Sequence, residues 1–204
     1  MNINPSLLTY ILDNFDSGVE NFGIVNDDIF NELLFFLSHH NIRIKGNKID
    51  VTSFNKLSIA LLAIRNGADM VKTCGKINWH DFELFSSEIM KHHGYRVYTN
   101  FRLKNPRREI DIMGIKSQKA LLIDCKHWKK NSLSNLEEIV DKQKKRGMLF
   151  LQKSEMKIEN AFPIILTLLP NESQFVNDVP IITVDKLNSF LLDFDMYYQD
   201  MFKV

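Results

Sequence analysis

The sequence predicts an α/β protein in which a mixed central sheet is flanked by helices and preceded by a small helical module. Three observations carry that prediction. Two Ile- and Leu-rich runs, 108–115 and 120–125, are separated by Lys116-Ser117-Gln118-Lys119, a gap of hairpin length. A long amphipathic segment over 133–153 is followed by the almost wholly apolar run 161–169, which suits a parallel-type strand buried on both faces, so strand, helix and strand form a crossover. Residues 1–76 instead place their apolar side chains at helical spacing.

Length and composition set the bounds. A chain of 204 residues with 45% hydrophobic content fills one large domain or two small ones without covalent staples. Lys and Arg number 26 against 25 Asp and Glu, a formal net charge of +1, so binding of nucleic acid has to come from a local patch and not from overall charge. Cys74 and Cys125 are the two cysteines. With no leader segment and no apolar run of bilayer length, they point to free thiols in a reduced, cytoplasmic setting away from any membrane.

In chain order, Asn4-Pro5 supplies an N-cap and a first-turn proline for a helix bearing Leu7, Leu8, Ile11 and Leu12. A polar stretch over 13–25 leads to Asn26-Asp27, which cap a second helix with Phe30, Leu33, Leu34 and Leu37 on one side, ending near His40-Asn41. Residues 42–51 alternate around Gly46-Asn47 as a small hairpin. Ser53 is the expected cap of a third helix, closed by Asn66-Gly67. Helices with a small hairpin fit a winged-helix module that reads DNA, and equally a helical dimerisation or packing module. The stretch 69–76 shows no period and reads as the linker, which divides the chain into 1–76 and 77–204. A helix then opens at Asn78 with Asp81 completing a near capping box and Phe82, Phe85 and Ile89 as its buried stripe. Strands at 95–103, 108–115 and 120–125 form a meander behind it. After the crossover come a strand at 179–184 and a last helix that Asp185 is expected to cap.

The candidate site lies in the hairpin. Period 2 places Asp124 and Lys126 on one strand face and Cys125 on the other, while Asp111, bracketed by Ile110 and Ile112, looks away from the core. Carboxylates within apolar strands need compensation, and a hard divalent cation with oxygen ligands is a common one. The plain alternative is an Asp124–Lys126 salt bridge on an edge strand.

Asp111 followed by Asp124-Cys125-Lys126 resembles the signature of the PD-(D/E)xK nuclease superfamily, an acidic residue on one strand and (Asp/Glu)-x-Lys on the next. Ile110-Asp111-Ile112-Met113-Gly114, Asp124-Cys125-Lys126-His127-Trp128, and Phe82-Glu83 ahead of Gly94-Tyr95-Arg96-Val97 are similar to segments of Mrr-type restriction endonucleases and, more distantly, of archaeal Holliday-junction resolvases. No Pro precedes Asp111, and Asp124 stands where many Mrr proteins carry Gln. The resemblance covers about 79–194 and implies a restriction-endonuclease-like core that hydrolyses DNA phosphodiesters with Mg²⁺ or Mn²⁺. It further implies that Asp111, Asp124, the Cys125 backbone carbonyl and Glu83 hold the metal, with Lys126 as a catalytic residue that orients the attacking water or helps to neutralise the transition state. Arg107, Arg108, His127, Lys129, Lys130 and Gln143 are candidate contacts to DNA. The competing class is a DNA-binding or scaffold protein that keeps the nuclease fold without cleavage, and a further one acts on RNA or branched DNA; homodimerisation is open.

Overall fold

The computed structural model describes residues 3–15, 27–45, 48–50, 52–128, 135–171 and 173–204. The chain forms two compact units, Met1–Asp81 and Phe82–Val204. The polar stretch from Asp16 to Asn26, the Gly46-Asn47 turn, Val51 and residues 129–134 lie outside the described residues, as do the side chains of 27–30, Phe30 among them.

The first unit contains α1 (Pro5–Asn14), α2 (Asp27–His39), the hairpin strands β1 (Ile44–Lys45) and β2 (Lys48–Ile49), α3 (Ser53–Arg65) and α4 (Met70–Cys74). Asn4 caps α1 as expected, its side chain accepting from the Ser6 N–H, with Pro5 in the first turn. The cap of α3 is Thr52 and not Ser53: the Thr52 hydroxyl accepts from the Asn55 N–H, so the helix starts one residue earlier than expected. Buried Asn55 then binds the hairpin to the helix, accepting from the Arg43 N–H and donating to the carbonyls of Arg43 and Asp50 at 3.0 and 2.7 Å. The expected linker holds α4, capped by Asp69. A five-residue helix is too short to show a hydrophobic period, and only its cap could have announced it.

The second unit is built on a six-stranded mixed sheet of order β3-β4-β5-β6-β8-β7, in agreement with the predicted fold class. Helix α5 (Trp79–His92) leads into β3 (Arg96–Leu103), β4 (Arg108–Lys116) and β5 (Lys119–Lys126), an antiparallel meander. Helix α6 (Leu136–Lys153) crosses over to β6 (Asn160–Thr167), which is parallel to β5 and to β8 (Val179–Thr183). The two-residue β7 (Phe175–Val176) pairs antiparallel with β8 through Asn177-Asp178, both at positive φ. A 3-10 turn over Val184–Lys186 precedes α7 (Leu187–Tyr197), so the expected Asp185 cap falls inside that turn and makes no capping bond to the helix.

Two glycines set how closely the helices sit on this sheet. A Cβ on Gly114 of β4 would stand 2.2 Å from the Met90 methyl of α5, and one on Gly147 of α6 would meet Pro163 and Val204 at 3.3 Å and Leu122 at 3.7 Å. Gly114 is registered with Leu121, the neighbour of Leu122 along β5, and successive strand residues point to opposite faces, so α5 and α6 cover opposite faces. Phe162, registered with Leu121 and in ring contact with Phe194 at 5.2 Å, places α7 on the α5 face. Met90 is fully buried on α5 where Ile89 was expected, because the stripe that packs on Gly114 is set by this contact.

Candidate active site

Strand β5 has two different ends. From Lys119 to Ile123 it is laddered on both sides, to β4 and to β6. The β4 register closes at Ile112↔Ile123, and from Asp124 to Lys126 the ladder continues only with Ile165, Leu166 and Thr167 of β6. The Cys125 N–H, which the β4 backbone does not reach, donates instead to the Asp111 carboxylate at 2.7 Å. On its other flank Asp111 faces Asn100, where β3 turns to a φ of 52° and the ladder steps from Thr99↔Ile112 to Phe101↔Ile110. Asp111 thus stands at a break on both sides. This is the carboxyl end of the parallel strands β5, β6 and β8, where α/β sheets commonly hold ligands.

Asp124 is 2% exposed, which counts against the edge-strand salt bridge as its setting, since β5 is central in the sheet. Its two oxygens meet two cations: Oδ2 lies 2.5 Å from the Lys126 ammonium and Oδ1 2.5 Å from the Arg146 guanidinium. Arg146 also donates to the Gln143 amide oxygen at 2.9 Å, and the Gln143 amide nitrogen donates to the Leu122 carbonyl at 2.7 Å. Gln143, expected as a contact to DNA, is fully buried and braces α6 against β5. Arg146 was missed. Its only signal was its spacing three residues after Gln143 on a helix that the crossover must lay on β5, and the run Lys142, Lys144, Lys145 around it reads as a solvated face.

Glu83, on the first turns of α5, is 4% exposed. Burial, reinforced by repulsion from Asp111, Glu109 and Asp124, pushes its carboxyl up to about 7. Burial and the Asp124 charge raise Asp111 as well, against the pull of the Cys125 N–H and the nearby cations. Glu83 and Asp111 are therefore both held above the usual carboxylate range, by burial first and by neighbouring carboxylates with it. Three carboxylates and a strand-end carbonyl are hard oxygen donors, the type of donor that Mg²⁺ or Mn²⁺ takes. As placed, among the described residues, no three His, Cys, Asp or Glu side chains are gathered on one point, and Asp124 is turned to Arg146 and Lys126.

The remaining expected contacts divide. His127 packs on buried Phe82 with ring centroids 5.2 Å apart, a cover over the core. Arg107 and Arg108 are exposed at the β3–β4 turn, on the same sheet end as Asp111. That turn is held by Lys153, whose ammonium donates to the carbonyls of Lys104 and Asn105, and a cleft of about 410 Å³ there is lined by Arg102, Lys104 and Arg107. Lys129 and Lys130 lie outside the described residues. Burial pushes the Cys125 thiol well up, which leaves it protonated and unsuited to nucleophilic attack. No helix among the described residues is long and apolar enough to cross a membrane.

The nuclease-related domain (NERD) family matches residues 78–182, more than half of the chain. A search of curated proteins finds no match. Among solved structures, that of protein VC1899 from Vibrio cholerae is similar over 96% of this chain and 51% of its own, at 13% identity and a TM-score of 0.44. This chain therefore spans about half the length of that protein.

Proposed function

The chain belongs to the nuclease-related domain family, within the restriction-endonuclease-like superfamily, and from that premise we propose that it is a metal-dependent endonuclease that hydrolyses DNA phosphodiester bonds. The observation that carries the reading is the meeting of Asp111, Asp124 and Lys126 where the β4–β5 ladder opens. Asp111 and Asp124, with the Cys125 carbonyl and Glu83, would hold Mg²⁺ or Mn²⁺. When bound, the ion supplies positive charge for the developing phosphorane oxygens and acidity for a water molecule. Lys126, already within 2.5 Å of Asp124, orients that water and neutralises charge at the attacked phosphate. Asp111 is oriented by the Cys125 N–H, which donates to its Oδ2. Arg107 and Arg108, at the rim, hold flanking phosphates.

The experiment is a cleavage assay on linear, branched, methylated and single-stranded DNA, and on RNA, with Mg²⁺, Mn²⁺, Ca²⁺ or EDTA. Mg²⁺- or Mn²⁺-dependent cutting of DNA that is lost in Asp111→Ala is the expected result. A second reading rests on the saturation of Asp124 by two cations: a nuclease-fold module that binds DNA without cutting it. Binding with no cleavage of any substrate in any metal would establish that reading and overturn the first.

A further inference from the structure

Arg146 answers a problem that the site creates for itself. Asp124 is buried, and a lone buried carboxylate is costly, so one of its oxygens is matched by Lys126 from the same strand and the other by Arg146 from α6. The guanidinium is presented by a fixed bracket. Gln143 accepts from it at 2.9 Å while donating to the Leu122 carbonyl at 2.7 Å, and Gly147, one residue on, lets α6 press to within van der Waals contact of Pro163 and Leu122. Arg146 therefore occupies the Asp124 oxygen from the helix side with little freedom to drift.

We propose that Arg146 is a built-in competitor for the metal ion, a cationic stand-in that occupies Asp124 until a divalent cation displaces it. The inference rests on the reading of Asp111 and Asp124 as metal-holding residues. A guanidinium and a divalent cation cannot share the same carboxylate oxygen at contact distance without strong repulsion, so binding of one requires release of the other. Release does not strand the arginine. Gln143 keeps its bond to the guanidinium, and the side chain is partly exposed, so the freed cation stays at the mouth of the site where a phosphodiester would arrive. Arg146 is thus a positioning residue that sets the threshold for metal occupancy, and its neutralising role keeps the empty site folded.

Calorimetric titration of Mn²⁺ into the full chain, in the absence of nucleic acid, reads this directly. Arg146→Gln removes the competitor, and its Mn²⁺ affinity is expected to rise about tenfold over the parent, the scale of one charge pair at a partly buried site. Arg146→Lys, which keeps a charge but cannot bridge Asp124 and Gln143 together, is expected to fall between the two and stands in should the Gln variant not fold. Thermal melting of each protein with and without Mn²⁺ gives a second readout: the metal-induced rise in Tm should be larger in Arg146→Gln than in the parent, from a lower metal-free starting point. Equal or weaker Mn²⁺ binding in both variants, with the parent binding normally, overturns this inference and leaves the proposed function standing. A parent that binds no Mn²⁺ overturns the proposed function and this inference with it.

Discussion

The two ends of β5 differ in every property that matters to the site. At the amino end, Ala120 to Ile123 are wholly buried, laddered on both sides and apolar. Over the next three residues, at the carboxyl end, the strand has lost one partner and carries Asp124 and Lys126, with Asp111 filling the missing ladder bond. The same backbone serves both purposes because a parallel neighbour, β6, continues past the point where the antiparallel neighbour stops. A site of this kind needs a sheet that is closed on one side and open on the other, which a mixed sheet supplies and a purely antiparallel one does not.

Cleavage rates, unfolding and pH dependence test that contrast, from the largest expected effect down. Asp111→Ala and Lys126→Ala should each lower the cleavage rate by at least about a thousandfold, the scale of losing a metal ligand or a charge at the reacting phosphate. Initial rates on whichever substrate the panel identifies decide this, and a variant within a few-fold of the parent would remove that residue from the chemistry. At the closed end, Leu122→Ala should cost roughly 2–5 kcal/mol in urea unfolding, as for other large-to-small changes in a full core. Asp124→Ala leaves Arg146 and Lys126 facing an apolar site and should cost about 3 kcal/mol. Asp111→Ala, by contrast, loses one N–H bond but relieves repulsion on Glu83 and should unfold close to the parent. If Asp111→Ala is as damaging as Leu122→Ala, the open end is a structural joint and not a site.

The smallest effect is in pH. The Glu83 carboxyl is raised in the folded chain to about 7 from an ordinary 4.5, so the folded state binds its proton more tightly than the unfolded state. Its contribution to metal-free stability is greatest below the unfolded value, falls as pH rises toward 7 and is flat above. Glu83→Gln should flatten that slope, and the metal affinity of the parent should weaken between pH 8 and pH 6 as protons compete for Glu83. Thermal melts across pH, with and without Mn²⁺, check both; a parent whose metal-free stability rises from pH 5 to pH 7 and loses that rise in Glu83→Gln would contradict the placement of Glu83.

Much of this was legible in the sequence because its signals are local. The meander follows from alternating Ile and Leu around a four-residue gap, the crossover from a long amphipathic helix before an apolar strand, and the first helix from Asn4-Pro5. Where signals are shorter than one period they failed: α4 spans five residues, and β7 has two, announced only by the Asn177-Asp178 turn. Adjacent Thr52 and Ser53 can each cap, and only the backbone geometry chooses between them. The pairing of Asp111 with the Cys125 N–H follows from the hairpin register, but Arg146 does not follow from anything local. Its neighbours on α6 are lysines and acids that resemble any solvated face, and it becomes visible only when Gly147 and Gln143 fix which side of the helix meets β5.

The Gln143 amide has one further consequence. Its nitrogen must point to the Leu122 carbonyl, which can only accept, and its oxygen to Arg146, which can only donate, so the group has a single permitted orientation. A slide of α6 by one residue along the sheet would break the Gln143–Leu122 and Arg146–Asp124 contacts at once. The helix is therefore indexed to β5 by a side chain and not by the length of chain between Trp128 and Asn135, and insertions or deletions in that stretch should leave the spacing between Arg146 and Asp124 unchanged. Related sequences are free to vary there in length while keeping the same distance across the site, in the way a ruler keeps its marks whatever string it hangs from.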